Sequence, residues 1–93
     1  MSNGLHTRTI EIRNEFGMHI RPASMFVKVA SSYDADLTVE KDGNEVPGKS
    51  IFGLMTLEAA CGSVLNLTAD GSDAKEMLDR LEALVESQFK DEG

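Results

Sequence analysis

The stretch TRTIEIRNEFGMHIRPASMFVKVASS, residues 7–32, changes its hydrophobic period once and defines the first two elements of the fold. Isoleucines alternate with polar side chains in its first part, which predicts a half-buried strand over residues 7–13. After a loop at residues 14–18, apolar residues recur at spacings of three, four and seven, which predicts a helix over residues 20–32. Pro22 is tolerated because it lies in the first helical turn, where no intrahelical N–H bond is lost.

The remainder of the chain contains five further predicted elements. They are a strand at residues 35–41, a short strand at 45–46 after the DGN turn, a short helix within residues 49–57, a strand at 63–69 and a long amphipathic helix at 74–89. Ser50 is the predicted N-cap of the short helix, and Ser72 or Asp73 that of the long one. The order β-α-β-β-α-β-α predicts an α+β fold, with a four-stranded, mainly antiparallel sheet and three helices on one face. Residues 1–93 are interpreted as a single domain.

Composition excludes several classes of function. Hydrophobic residues make up 41% and charged residues 27% of the 93 residues, which is typical of a folded soluble domain. The net charge of −7 argues against generic nucleic-acid binding, and no apolar run approaches the roughly 20 residues that span a bilayer. The N-terminus lacks the pattern of a secretory signal, and the lone Cys61 cannot form an internal disulfide, so we expect a cytoplasmic protein.

His19 is the strongest candidate for chemistry because it lies at the predicted junction between the first loop and the first helix. The N–H groups of a first helical turn bind anions, and Arg21 is close enough to contact the same anion. Near neutral pH an imidazole keeps an unprotonated nitrogen, which can attack phosphorus and later leave. The alternative interpretation is that His19 only caps a helix and Arg21 is an ordinary surface charge. The spacing of these two residues alone does not decide between the two.

Two segments carry a resemblance to a known family: GMHIRPA at residues 17–23 and GKSIFGLMTL at residues 48–57. The first is similar to the active-site motif, and the second to the regulatory-serine helix, of the HPr family, the histidine phosphocarriers of the bacterial phosphoenolpyruvate:sugar phosphotransferase system. The resemblance covers nearly the whole chain and implies an open-faced β-sandwich. One departure is Ile20, where the family usually has a small residue or threonine.

The resemblance also implies a role for each matching residue. His19 would take a phosphoryl group from phospho-enzyme I through Nδ1 and donate it to an enzyme IIA domain, with assistance from Arg21. Ser50 would be phosphorylated by an HPr kinase in organisms that have one, and transcriptional regulators would be further partners. The protein would then be a carrier rather than an enzyme, would need no cofactor or metal and would not insert into a membrane. The sequence leaves the oligomeric state open, and a monomer is the simplest expectation.

Docking of partners is expected to use apolar residues beside His19, with a basic rim. The residues predicted for this surface are Met18, Met25, Lys28, Lys49, Ile51, Phe52 and Met55. Ile51 and Leu54 are also expected to supply the inward side of the short helix, which would leave Phe52 exposed. Arg21 and Lys28 lie seven residues apart on one helix, where they would steer acidic partners.

Three alternatives remain. A nitrogen-branch regulatory carrier is favoured slightly by NEFGMH, residues 14–19, and by the acidic tail at 90–93, whereas KSI at residues 49–51 favours the sugar branch. A binding module without phosphotransfer is the second alternative. The third is a nucleotide-binding protein, because GNEVPGKS, residues 43–50, fits the P-loop pattern. The residues before this segment form a predicted hairpin turn, and Pro47 removes one N–H donor, so both features argue against a phosphate cradle.

Overall fold

The computed structural model describes residues 4–90, which form four strands and three helices in the predicted order. The elements are β1 (Leu5–Glu11), α1 (Ile20–Ser31), β2 (Asp36–Lys41), β3 (Asn44–Pro47), α2 (Ile51–Thr56), β4 (Val64–Asp70) and α3 (Ala74–Glu86). The last three residues of the acidic tail, 91–93, lie outside the described residues.

The four strands form one antiparallel sheet in the order β1-β4-β2-β3. Its register places Ile10 opposite Leu65 and Leu37 opposite Ala69, so apolar residues of neighbouring strands share one face. Along β4 buried and exposed residues alternate strictly, because successive side chains of a strand point to opposite faces. The helices cover the buried face, and the other face remains open to solvent, so the α+β prediction is confirmed.

The apolar face of α1 belongs to the core, as its period predicts, and α1 packs beside α2 and α3. Ala23, Phe26 and Ala30 are buried, and Val27 is half-buried. Burial of side chains of this size stabilises the fold by about 1.5–3 kcal/mol for each large residue, which is more than helix propensity contributes. The packing therefore fixes the direction of α1 and the position of its N-terminus.

The end of α3 differs from the prediction. The helix stops at Glu86, and Gln88 and Phe89 have positive φ values of 62° and 59°. The chain turns here, with the N–H of Phe89 donating to the carbonyl of Leu84 at 3.0 Å, and the Phe89 ring is nevertheless buried. Extending the helix to residue 89 was wrong because the apolar pattern reports burial, which a turn can supply as well as a helix.

Asp73 occupies the predicted N-cap position of α3, but its carboxylate does not cap the helix and instead bonds to another segment. Its two oxygens accept the backbone N–H groups of Asp34 and Ala35, each at 2.9 Å. These bonds, that from Asp34 most strongly, hold the pKa of the Asp73 carboxyl below its usual value. Asp73 therefore ties the turn before β2 to the start of α3.

Candidate functional site

The loop that leads from β1 to α1 is held by backbone hydrogen bonds to the loop between α2 and β4. The N–H of Ile12 donates to the carbonyl of Ser63 at 2.8 Å, and the N–H of Gly62 donates to the carbonyl of Ile12 at 2.7 Å. Further along, the N–H of Met18 donates to the carbonyl of Ala59 at 2.8 Å. The segment before α1 is thus fastened to a neighbouring loop at both ends, which positions the residue that follows it.

Gly17 makes this fastening possible. Its φ is +71°, in the left-handed region that side chains disfavour, and a Cβ at this position would lie 2.4 Å from the carbonyl oxygen of Ala59. Glycine is therefore required both by the backbone conformation and by the close approach of the second loop. The need for glycine in the motif around the histidine therefore becomes clear only from the contact with the neighbouring loop.

His19 is the N-cap residue of α1, as the sequence predicts, and its side chain is exposed. Its backbone is extended, with φ −99° and ψ −166°, and its carbonyl accepts the N–H of Ala23 at 2.9 Å. Within the described part of the chain the imidazole makes no capping hydrogen bond. The first-turn N–H groups and the positive end of the helix dipole are therefore left for an anion beside the ring.

Phe16 is a neighbour of the histidine that the sequence reasoning missed. Its ring is 76% exposed and meets the His19 ring edge to face, with centroids 6.3 Å apart and planes at 80°. This geometry is favourable for aromatic pairs. The sequence did contain a signal for this contact. Phe16 is an aromatic residue three positions before the candidate histidine, in a loop where no apolar period explains it.

Arg21 and Lys28 are both exposed on α1, Arg21 in its first turn and Lys28 in its last. At 1.5 Å per residue their seven-residue separation is about 10 Å along the helix axis. Arg21 is thus near the helix end that carries His19, whereas Lys28 belongs to the surface beyond it.

Exposed apolar residues stand in the loop before α1, on α1 and on α2, and we refer to Phe16, Ile20, Ile51, Phe52 and Met55 together as the exposed apolar surface. Phe52 is 79% and Ile20 62% exposed, while Ile51 and Met55 are each at 37%. The inward side of α2 is supplied by Leu54, so the expectation that Ile51 also points inward was wrong. Because α1 and α2 pack against each other, residues from both helices contribute to this surface.

Three residues predicted for docking are less exposed than the rest of that set. Met18 is buried in the core, where its N–H is fastened to Ala59, so its side chain is removed from the surface. Met25 is half-buried and packs against the core. Lys49 donates through Nζ to the carbonyl of Tyr33 at 2.8 Å, so its ammonium group links α2 to the turn after α1.

Ser50 is the N-cap of α2, as predicted, and its Oγ accepts the N–H of Gly53 at 2.9 Å. The segment that fits the P-loop pattern does not form a phosphate cradle, because residues 44–47 are strand β3, paired with β2 in a hairpin. Among residues 4–90 there is no cluster of three His, Cys, Asp or Glu residues suited to a metal ion. No helix in the same range is long and apolar enough to cross a membrane.

These features define a class of protein: a small open-faced sandwich with an exposed histidine at a helix N-terminus, whose imidazole makes no capping hydrogen bond. A model of the family described as "PTS HPr component phosphorylation site" matches residues 3–87. The chain belongs to the HPr family, and the resemblance seen in its two motifs is confirmed.

Known proteins show how closely the chain follows this family. It is 42% identical to the phosphocarrier protein HPr of Vibrio cholerae over 82 residues, which cover 88% of this chain and 96% of that protein. It is 40% identical to the HPr-like protein Crh of Bacillus subtilis over 79 residues, covering 85% of this chain and 93% of Crh. The crystal structure of HPr-C-His from Thermoanaerobacter tengcongensis superposes with a TM-score of 0.89 at 43% identity, covering 95% of this chain and 99% of that one.

Proposed function

We propose that this protein carries a phosphoryl group on His19 between protein partners of the phosphotransferase system. The observation that supports the proposal is the exposed imidazole at the N-cap of α1, which leaves the first-turn N–H groups available to phosphoryl oxygens. In the forward step Nδ1 forms a bond to phosphorus while the bond from phosphorus to the donor group of enzyme I breaks. In the second step the new bond breaks as an acceptor group on enzyme IIA attacks.

The energetics of the site suit a carrier. The helix dipole stabilises an anion at its N-terminus by about 0.3–1 kcal/mol when the site is exposed. Arg21 in the first turn adds a charged donor of the kind that pairs well with phosphate oxygens. An exposed site with stabilisation of this size binds the group without retaining it, and the protein needs partner enzymes for both steps.

Phosphorylation by phosphoenolpyruvate and enzyme I tests the proposal, with intact mass as the readout. The chain contains two histidines, so His6→Ala is a matched control for His19→Ala. We expect one acid-labile phosphate on the wild type and on His6→Ala, and none on His19→Ala. Phosphate retained by His19→Ala would refute the assignment of the accepting residue.

Partner docking is proposed to use the exposed apolar surface together with Arg21 and Lys28. Exposed apolar side chains are typical anchors of protein interfaces, and a basic rim speeds the encounter with acidic partners. The proposed partners are enzyme I, enzyme IIA domains and, where present, an HPr kinase and regulators. We propose that residues 1–93 act as a single monomeric domain, because the helices and strands of residues 4–90 share one apolar core. We also propose that the protein acts in the cytoplasm.

A regulatory carrier of the nitrogen branch is the second candidate. The feature that favours it is the segment NEFGMH at residues 14–19, in which Phe16 contacts the His19 ring. Transfer from the phosphorylated protein to enzyme IIA domains of each branch separates the candidates. Faster transfer to a sugar-specific domain supports the first, and faster transfer to a nitrogen-branch domain supports the second.

We also propose that phosphorylation of Ser50 regulates docking. The hydroxyl caps α2 and lies next to Ile51 and Phe52, so a phosphate there would add about −1.5 to −2 charges beside the docking surface. A helix N-terminus tolerates that charge, so α2 would remain folded. The added charge would instead repel acidic surface on a partner.

A further inference from the structure

Asn14 is the one buried polar residue among residues 4–90, with 9% of its surface exposed. Its Nδ2 group donates to the carbonyl oxygen of Gly17 at 2.7 Å. Its other polar atom, Oδ1, is buried and has no hydrogen-bond partner in the described part of the chain. A buried acceptor without a partner is unfavourable for folding and is rare in native structures, so it requires an explanation.

The bond made by Nδ2 acts on the backbone of His19. The carbonyl oxygen of Gly17 that accepts it also accepts the N–H of His19 at 3.1 Å. In addition, the N–H of Gly17 donates to the carbonyl of Asn14 at 3.2 Å, which closes the turn between these two residues. One carbonyl thus joins the Asn14 side chain to the backbone of the histidine.

The identity of the side chain follows from this single bond. An aspartate of the same shape would place a carboxylate oxygen against the Gly17 carbonyl, where two acceptors repel each other. An apolar residue would fill the space without holding the carbonyl. Since Oδ1 makes no bond within residues 4–90, the useful property of asparagine here is its N–H donor.

We propose that Asn14 is a positioning residue for phosphoryl transfer, and this inference rests on the function proposed for His19. By fixing the Gly17 carbonyl, Asn14 sets the direction in which the backbone enters α1, and so the place of the imidazole relative to the first-turn N–H groups. Asn14 does not contact the phosphoryl group. Its effect falls on the rate of transfer, because misplacement of a reacting group by about 1 Å lowers rates up to about 100-fold.

Steady-state phosphorylation by enzyme I tests the inference with Asn14→Asp, and Asn44→Asp at the exposed first residue of β3 is the matched control. We expect kcat of Asn14→Asp to fall by about tenfold to 100-fold with little change in KM, because the apolar docking surface is untouched. The ¹⁵N spectrum of the His19 imidazole should change in Asn14→Asp and remain the same in Asn44→Asp.

Asn14→Ala keeps the inference testable if the aspartate variant fails to fold, since alanine introduces no repulsion. A folded variant with wild-type kcat overturns the inference while leaving the carrier function intact. Loss of folding in both variants also overturns it, because Asn14 would then serve folding alone. Failure of the wild type to accept phosphate refutes the proposed function instead, so the two failures are distinguishable.

Discussion

Replacement of Gly17 by alanine tests whether the close approach of two loops fixes the site. The new Cβ would lie 2.4 Å from the carbonyl oxygen of Ala59, and ordinary contact begins at 3.4 Å. The two loops would have to separate by about 1 Å, which is the difference between these distances. The 2.8 Å bond from the N–H of Met18 to the same carbonyl would then be stretched or broken.

Two terms set the expected loss of stability. An alanine at a φ of +71° costs about 1–2 kcal/mol relative to glycine, and the stiffer unfolded chain offsets about 0.4–1 kcal/mol of this. A buried hydrogen bond lost between Met18 and Ala59 adds about 1–3 kcal/mol. The sum is about 3 kcal/mol, or a fall in Tm of about 12–24 °C for a domain of this size.

Thermal and urea unfolding of Gly17→Ala and Gly43→Ala measure the effect of the contact separately from backbone strain. Gly43 has a φ of +87°, and a Cβ there would meet nothing within 4 Å in the described part of the chain. The control should therefore lose only about 1 kcal/mol, or about 4–8 °C in Tm. Equal losses in the two variants would refute the argument that the second loop requires glycine at position 17.

Three further predictions concern docking, regulation and pH dependence. Phe52→Ala should raise KM for enzyme I about 5- to 30-fold, the effect of 1–2 kcal/mol at an interface, while stability changes by less than about 0.5 kcal/mol. Ser50→Asp should keep the cap of α2 and slow phosphorylation of His19 about tenfold, with the effect shrinking as salt is added. Asp73→Asn should flatten the fall in unfolding free energy below about pH 4, measured by urea unfolding from pH 5 to pH 2. The sign follows from the lowered pKa of Asp73: its contribution is complete above the unfolded pKa and is lost as pH falls through the folded one.

Each of these predictions has a control on the same chain. Leu5→Ala removes an exposed apolar side chain from β1, and Thr68→Asp adds a negative charge on the open face of the sheet. Asp36→Asn makes the same chemical change as Asp73→Asn at an exposed position. A control that matches its partner variant would contradict the corresponding prediction, since the effect would then not depend on the site.

Local sequence patterns were sufficient to predict the order of the strands and helices. The change from a period of two to a helical period between β1 and α1 placed His19 at the start of a helix, and the serine before α2 was correctly read as a cap. Both features depend on neighbours within one or two turns, and side-chain alternation and capping are local properties of the backbone.

Assignments that depend on distant segments could not be made in this way. Met18 lies within the motif, next to His19, and was predicted on the surface, but its N–H bonds to the carbonyl of Ala59 and its side chain packs in the core. Lys49 resembles a free surface charge until its bond to the carbonyl of Tyr33 is seen. The ring contact of Phe16 with His19 likewise arises from the bend of the loop.

The division has one physical cause. Secondary structure follows from which faces of a segment are apolar, and this is written in the order of residues. The exposure of the side chains around His19 depends on which other residues cover them. That is determined by packing between segments far apart in the chain. The local sequence therefore determines that His19 is at the N-terminus of a helix. The contact between two loops, which are distant in the chain, determines the position of the backbone that leads into it.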